Sequence, residues 1–561
     1  AELILRVNLE LEDPAEARKF LNPKLSYLDD PFSIRGMDRV VERIGQALRK
    51  NESILIFGDY DVDGITSTVA LVHLLRRFGA APAYSVPRRL DEGYGLSRIA
   101  LDRALEDHGR PDLMIALDCG TNSREEVAFL KEKGVDVLIV DHHQGKPDLL
   151  PERTIVLNPH VTHAESQPKP DWFHLCTAGL VFKIIHALVK AGRERGDPVA
   201  REIRVADYLD LVAMGTVADL VPLQGENRLI TRQGLKSLER TRRPGIHALF
   251  EAAGIQPGMP LETADIGFKI GPRINASGRL ADAREPISLL LNEHYGGCQE
   301  MAKTLNDLNR ERQDIERVVF EEAVGQIEKT HGDSIPGGLV VFGLDWHHGV
   351  AGIVASRLVQ QFHRPVLVLG GAERENGGDP NLAKGSGRSI SGVNLVEMLE
   401  PCKDHLLQWG GHPMAVGLTL EAEQIPAFRA AFAGAIQAGY PEGLPDRSIH
   451  VSTWIHPEQI SVKFIEDLDR LRPFGMGNPK PVFGIRGARL KPNLKVMKGV
   501  HFRFQLDTGQ HTHFSGVAWK MADRLPPVGA PIDVAVRLGW NVWNGSRTLQ
   551  LELVDWRLSG G

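Results

Sequence analysis

Cysteine is scarce in this chain: four residues, Cys119, Cys176, Cys298 and Cys402, lie far apart with no CxxC pair among 561 positions. That spacing excludes a zinc ribbon and fits free thiols in a reducing cytoplasm. Long apolar runs are also lacking, since none approaches the roughly 18 residues of a membrane span. The N-terminus, AELILRVNLELEDPAE, carries acidic residues where a secretory leader would carry basic ones. The expectation is a cytoplasmic protein with no membrane association.

What is present is ordinary in bulk and uneven in charge. Hydrophobic residues at 42% and charged residues at 25% are those of a soluble globular protein. The length is too great for one core and suggests three or four domains. Residues 447–561 hold 16 Lys+Arg against 9 Asp+Glu, a net of +7; the whole chain carries −6, so residues 1–446 carry −13. An acidic body with a basic end suggests that the end meets an anionic partner.

The stretch with the most chemistry is residues 54–67, ILIFGDYDVDGITS. Ile54 to Phe57 read as a buried strand, followed by Asp59, Asp61 and Asp63 and then by a helix opening at Gly64 with Val69, Val72 and Leu75 on its apolar face. Three carboxylates within five residues repel one another unless a cation neutralises them. Open α/β sheets place ligands outside the carboxyl ends of their strands. The cluster therefore reads as metal ligands rather than as a solvated acidic turn.

The pattern recurs. Leu113 to Leu117 form an apolar strand ending at Asp118 within LDCGTNS; Ser123 and Glu126 then make an S-x-x-E capping box, with Gly134 ending the helix. Val137 to Val140 form another strand, ending in Asp141-His142-His143. Alternating buried strands and helices are the rhythm of a parallel sheet covered on both faces, which gathers the polar strand ends at one edge. After a helix predicted over 201–214, GTVADLVPL supplies Asp219 in an apolar context, where a buried carboxylate needs a partner. Arg88 and Arg89, following a strand near Ala83–Val86, are phosphate-binding candidates, although adjacent arginines are more often plain surface residues.

GDYDVDG, LDCGT, DHH and GTVADLVPL, in this order, resemble the four motifs of the DHH phosphoesterase superfamily. The resemblance extends over nearly the whole chain and is specific to the bacterial single-strand-specific exonuclease branch. It implies two divalent ions, Mn2+ or Mg2+, held by Asp61, Asp63, Asp118, His142 and Asp219, with Asp118 bridging. Asp59 and His143 are the catalytic candidates, Asp59 as a further ligand or a group behind the ligands and His143 facing the scissile phosphate. The donor set agrees independently, because hard oxygens with imidazole and no thiolate suit manganese or magnesium.

Further motifs extend the resemblance. KIGPRINASGRL (269–280) offers Arg273, Asn275 and Arg279 as substrate contacts, although by residue type alone it could be a turn between helices. Apolar residues at helical spacing over 297–330, among them Met301, Leu305, Val319 and Ile327, predict a helix about 50 Å long, read as a strut between domains. KGSGRSISG (384–392) and GGHPMAVGLTL (410–420) read as glycine-rich loops that suit phosphate, and the second resembles the signature of the DHHA1 domain. Ser386, Arg388, Gly411 and His412 are the substrate-binding candidates there, with Ser386, Arg388 and Arg89 forming a 5′-phosphate pocket. His347 and His348 read as structural.

Pro441–Asp446 reads as a linker. The strand-like runs beyond it, with Asn544-Gly545 as a hairpin turn, suggest a small OB-type barrel. Five of the eight tryptophans fall here, Trp454, Trp519, Trp540, Trp543 and Trp556, more than a small core needs. LRPFGMGNPKPVF (471–483) resembles the start of that barrel in the same exonucleases.

The expected architecture is α/β: a parallel-sheet DHH domain over 1–230, a substrate-contact segment and long connecting helix over 231–335, a smaller α/β DHHA1 domain over 336–445, and an OB-type β-barrel over 446–561. The resemblance implies a monomeric 5′ to 3′ exonuclease on single-stranded DNA, working in recombination and repair with single-stranded-DNA-binding protein and a helicase. Two alternatives share parts of this reading. One is a small-substrate phosphoesterase (oligoribonuclease, cyclic-dinucleotide hydrolase or pyrophosphatase), which should lack the barrel and long helix. The other is a non-catalytic DNA-binding replication factor, which should have lost carboxylates.

Overall fold

The computed structural model describes residues 8–560 apart from 10, 89–91, 94, 165, 257, 333, 372–380, 508–512 and 544–545. Five strands, β1 (Ile54–Gly58), β2 (Ala83–Ser85), β3 (Leu113–Leu117), β4 (Asp136–Val140) and β5 (Ile155–Leu157), form a parallel sheet in the order β2-β1-β3-β4-β5. The order reverses between β1 and β3, and such a switch point opens a crevice at the carboxyl ends of the two strands. Strand β5, only Ile-Val-Leu, is too short to stand out in the sequence.

Alternation in the strands feeds two cores. Ile54, Ile56, Ile115 and Leu138 pack against helices α1 (Met37–Lys50), α2 (Val62–Arg77), α5 (Thr177–Glu194) and α6 (Leu209–Ala218). Leu55, Phe57, Met114 and Ile139 face the other way, onto α3 (Arg98–His108) and α4 (Arg124–Glu132). Both faces of the sheet are thus covered by helices.

Three local expectations are corrected. Helix α2 starts at Val62, not Gly64, because the Asp61 side chain caps it, and it is buried on nearly every side rather than amphipathic. Ser123 stands at the start of α4 but makes no side-chain cap; its ψ of 54° departs from the extended geometry that a cap uses. The helix expected over 201–214 divides at Ile203 into a short helix (Pro198–Glu202), one 3-10 turn and α6.

Helices α7 (Gly225–Leu238) and α8 (Gly271–Leu280) lead to α9 (Tyr295–His331), whose 37 residues span about 55 Å. Its Cys298, Ala302 and Leu305 belong to the core of the first sheet, and its Val319, Ala323 and Ile327 to a core of the second. Between these segments Arg312 donates to Glu316 Oε2 at 2.7 Å and Asn309 Oδ1 at 2.9 Å, and Arg357 donates to Glu316 Oε1 at 3.1 Å. A strut between domains is what the structure shows.

The second sheet is mixed, with order β6-β7-β8-β10-β9: β6 (Leu339–Gly343), β7 (Val366–Gly371), β8 (Leu382–Arg388), β9 (Gln408–His412) and β10 (Ala415–Glu421). Helices α10 (His348–Phe362) and α11 (Ile425–Gly439) cover its two faces. The glycine-rich segments expected as loops are largely strands here. A Cβ at Gly385 would lie 2.0 Å from the Val368 carbonyl oxygen, and one at Gly387 would lie 2.4 Å from Leu367 Cδ2, so close packing is what calls for glycine.

The C-terminal strands are β11 (Thr453–Trp454), β12 (Phe483–Leu490), β13 (Lys495–Met497), β14 (His501–Asp507), β15 (His513–Ala518), β16 (Ile532–Trp543) and β17 (Ser546–Leu558). Pairing of β12 with β14 closes the ring β12-β16-β17-β15-β14 into a five-stranded barrel. Helix α12 (Val462–Asp469), which the sequence pattern had not signalled, packs Ile465 and Leu468 into its core. Trp543 and Ser546 pair at the end of the β16–β17 hairpin; the expected Asn544-Gly545 turn lies outside the described residues. Arg228, 2% exposed, joins the barrel to the first domain by donating to the carbonyls of Phe20 (3.0 Å), Leu471 (2.9 Å) and Arg472 (2.9 Å). Among the described residues no helix is long and apolar enough to cross a membrane.

Candidate metal centre and substrate cleft

The acidic residues converge at the carboxyl ends of β1, β3 and β4. Asp61 caps α2, its Oδ1 accepting from the Asp63 and Gly64 N–H groups at 2.9 and 3.1 Å. A Cβ on Gly64 would lie 2.5 Å from the Asp59 carbonyl oxygen, so only glycine lets this turn fold back so tightly. Asp63 reaches across to the start of α5, where both carboxylate oxygens accept main-chain N–H groups, of Thr177 and of Ala178, each at 2.8 Å. Asp118 follows β3 with φ of 64°, a left-handed conformation that strains a non-glycine residue and that Asp tolerates better than most. Its Oδ1 accepts from the Thr177 hydroxyl at 2.9 Å.

His142 lies among the carboxylates, its Nε2 being 3.3 Å from Asp118 Oδ1, 3.5 Å from Asp219 Oδ2 and 3.9 Å from Asp63 Oδ2. Asp141 does different work. It accepts from the N–H groups of Thr121, His142 and His143 and from His143 Nδ1 at 2.7 Å, so it orients the histidine pair from behind.

Among the described residues three donor groups result, each with its atoms within 4.8 Å of one another: Asp59–Asp61–Asp118, Asp118–His142–His143 and Asp63–Cys176–Asp219. Asp118 belongs to two of them, as a bridging ligand would. Neither oxygen of Asp59 and not Oδ2 of Asp219 accepts a well-formed hydrogen bond, although all three are buried. Leaving such acceptors unmatched is costly, so these residues fit a pair of hard divalent cations.

The electrostatics agree. Burial, then the charges of Asp61 and Asp118, push Asp59 well above the usual carboxylate range; burial, then Asp118 and Asp219, does the same to Asp63. Burial and the Asp118 charge raise Asp61 to about 6 and Asp219 to about 8. Burial also pushes at Asp118, but the His142 hydrogen bond and the two histidine charges outweigh it and hold that carboxyl low. Desolvation would lower His143, yet its bond to Asp141 and that carboxylate's charge raise it to about 10. Carboxylates crowded in this way, most of them driven toward protonation, are stabilised by added positive charge.

Cys176 is a neighbour that spacing had not placed here. Burial and the charges of Asp63 and Asp219 push its thiol well above the ordinary range, and it donates to Thr216 Oγ1 at 3.6 Å, so it stands as a neutral thiol. Thr177 and Cys176 were missed because their roles depend on contacts 59 and 40 positions apart in the chain, whereas Asp141 was seen as a strand end but not as the group that orients His143.

The substrate candidates divide. Segment 269–280 is helical rather than a turn. Asn275 and Arg279 line a cavity of about 380 Å3 beside Ala218, the residue before Asp219, and Asn275 Oδ1 is buried without a partner. Arg273 is turned elsewhere: it donates to Asn306 Oδ1 at 3.2 Å and to the carbonyls of Lys269 (2.6 Å) and Ala252 (3.1 Å), which ties α8 into the first domain. In the second sheet Arg388, Ala415 and His412 share one row across β8, β10 and β9, Ser386, Gly417 and Gly410 share another, and Gly411 lies in the row between them. Arg279 donates to the Gly349 carbonyl at 2.5 Å in the first turn of α10, and the Arg388 guanidinium lies against Gly352 one turn on. One helix end therefore meets an arginine from each of two separate parts of the chain. Arg89 lies outside the described residues. Of the tryptophans, Trp540 bonds Asp469 and Trp556 bonds the Arg524 carbonyl, whereas Trp454 and Trp519 are 42% and 54% exposed.

Three segments of the chain match known domain families: residues 53–216 the DHH family N-terminal domain, 336–438 the DHHA1 domain and 451–555 the RecJ OB domain. The chain is 36% identical over 551 residues to the single-stranded-DNA-specific exonuclease RecJ of Bacillus subtilis, covering 97% of this chain and 66% of that protein. It is 34% identical to the Salmonella typhimurium protein of the same name, covering 93% of this chain and 90% of the relative. The crystal structure of RecJ in complex with Mn2+ from Thermus thermophilus superposes with a TM-score of 0.78 at 28% identity, over 100% of this chain and 79% of that one.

Proposed function

The chain belongs to the RecJ family of single-stranded-DNA-specific exonucleases, and from that premise we propose that it hydrolyses single-stranded DNA from the 5′ end, releasing 5′-mononucleotides. The observation that carries the proposal is the set of three donor groups, two of them sharing Asp118, at the β1/β3 switch point. A decayed, DNA-binding relative would have no reason to keep these buried, mutually repelling carboxylates.

Asp61, Asp63, Asp118, His142 and Asp219 are the residues that would hold two divalent ions, Mn2+ or Mg2+, with Asp59 behind or beside them. When bound, such a pair activates water and stabilises the attacking and leaving oxygens of a phosphodiester. The remaining work falls to the protein. Asp141 fixes the His143 ring through Nδ1 and so holds it in one orientation toward the scissile phosphate. Asn275 and Arg279 position the strand next to Asp219, and Ser386, Arg388, Gly411 and His412 receive its 5′-phosphate across the cleft, with Arg89 as a further candidate. Arg273 remains a candidate substrate contact of the same segment, held in this structure by Asn306 and two carbonyls.

The proposed division is 1–230 catalytic, 231–335 connecting, 336–445 completing the cleft and 446–561 gripping the strand further along, although Leu9, Leu11 and Phe20 pack against the barrel core and Ile246, Ile274 and Ile287 join the core of the first sheet. A cytoplasmic monomer working beside single-stranded-DNA-binding protein and a helicase completes the reading. The test is a Mn2+-dependent digestion of 5′- and 3′-labelled strands, single and duplex. Mononucleotides from the 5′ end of single strands alone support the reading. Hydrolysis confined to dinucleotides or pyrophosphate would move the chain to the small-substrate class, and binding without product would make it a replication factor.

A further inference from the structure

Two large apolar side chains stand exposed, one directly after a candidate metal ligand and one in the wall of a cavity that reaches the residue before that ligand. Phe268 is 82% exposed and Leu220, immediately after Asp219, is 65% exposed. Isolated exposed apolar residues are common and need no explanation. These two differ in how the backbone holds them. Leu220 has φ of 61°, the left-handed region that a leucine occupies only under strain. Phe268 sits in a single π-helical turn, Ile266–Ile270, whose flanking Ile266 and Ile270 are fully buried while the ring between them is not. Such turns recur at functional sites.

Phe268 lines a cavity that also reaches Ala218, two residues before Leu220 in the chain. The cavity of about 380 Å3 that Phe268 lines also has Ala218, Asn275, Arg279 and Arg312 in its wall. A Cβ on Gly271 would lie 3.9 Å from Ala218 Cβ and 3.7 Å from Val62 Cγ2, so the turn carrying Phe268 leads directly into backbone that abuts the metal centre. The wall thus offers an aromatic face, the Arg279 guanidinium and an unmatched buried acceptor at Asn275 Oδ1, while Arg312 is taken up by Glu316.

We propose that Phe268 and Leu220 form a ledge on which an unpaired nucleobase of the substrate strand stacks beside the scissile phosphate. This rests on the reading of the substrate as single-stranded DNA, and it adds a reason for the selectivity. A base paired within a duplex is held in its stack and cannot turn onto the Phe268 ring, whereas an unpaired base can, regardless of sequence. Leu220 covers the edge of the same base next to Asp219, and its strained backbone is what turns it outward there.

The experiment uses the full chain with Mn2+ and 5′-phosphorylated oligonucleotides, intact or carrying one abasic residue at successive positions from the 5′ end. Base–aromatic stacking predicts that one abasic position raises the wild-type KM roughly 5- to 150-fold. F268A should raise KM for the intact strand by a similar factor, leave kcat close to wild type and lose the response to that abasic position, and F268W should restore both. An F268A enzyme with unchanged KM, or one still sensitive to the abasic position, overturns the ledge while leaving the exonuclease reading intact. A wild-type chain that degrades no single strand would overturn both.

Discussion

The Thr177 hydroxyl gives the sharpest test of the metal centre, because it touches no substrate and can be removed almost isosterically. Thr177 is fully buried and donates to Asp118 Oδ1 at 2.9 Å, while its main-chain N–H holds Asp63 Oδ2 at 2.8 Å. Thr177→Val keeps the main-chain bond and the volume but sets a methyl group against a buried carboxylate. A hydrogen bond to a charged group contributes about 1.5–3 kcal/mol, equivalent to roughly 10- to 150-fold in an equilibrium constant. That range overlaps the roughly 10- to 100-fold loss of metal affinity found when groups behind metal ligands are removed. Expressed against Mn2+, T177V should bind at least about tenfold more weakly by calorimetry, and half-maximal cleavage should need correspondingly more Mn2+. Thr177→Ser, which keeps the hydroxyl, should stay within a few-fold of wild type. If T177V binds Mn2+ like wild type, Asp118 is not the shared ligand and the assignment of the centre fails.

Other outcomes follow from the same structure. Asp61→Ala combined with Asp63→Ala should abolish cleavage while single-strand binding, read by fluorescence anisotropy, stays measurable; surviving cleavage would contradict the ligand assignment. Lys183→Met should destabilise the fold by about 3–5 kcal/mol in urea unfolding, because it strands Glu226, whose Oε1 accepts from Lys183 Nζ at 2.8 Å in the interior. An unchanged unfolding midpoint would refute that reading of the pair. His73, bonded through Nδ1 to the Tyr208 hydroxyl at 3.0 Å, is held neutral with its pKa lowered to about 4, chiefly by burial and then by Arg243. Its folded value lies below the ordinary 6.5, so its contribution is complete above pH 6.5 and is lost as pH falls toward 4. With partial exposure discounted, the loss is about 1–2 kcal/mol. His73→Gln should flatten that part of the stability–pH curve, and an unchanged curve would refute the assignment.

The sequence made the centre legible because chemistry repeats at strand ends. Apolar strands ending in Asp59, Asp118 and Asp141-His142-His143 needed only the rule that parallel strands share a direction. It could not disclose which groups hold those side chains. Asp63 is fastened by the main chain of Thr177 and Ala178, more than a hundred residues on, and any sequence can supply an N–H. Arg273 and Arg279 are alike on paper, both within RINASGR, yet six positions of helix turn one into the first domain and the other toward α10. Glycine density misled at 384–388, where packing against Val368 and Leu367, not loop conformation, demands it. Helix α12 escaped notice because its eight residues follow a strand-like run without a long periodic pattern.

Helix α9 has a consequence beyond joining two domains. Its two ends are each embedded in a packed interior, and the Arg312–Glu316–Arg357 pairing pins its middle. The separation between the acidic cluster of the first sheet and the glycine-rich strands of the second is therefore counted out in residues, like marks on a gauge. Each residue added or removed shifts one half by about 1.5 Å and rotates it by about 100° against the other. Only changes near whole turns would keep the two faces opposed, so the calibre of the cleft can change in coarse steps but not be trimmed continuously. Holding the two sheets opposed at another separation would require a coordinated change of about seven residues in a single helix.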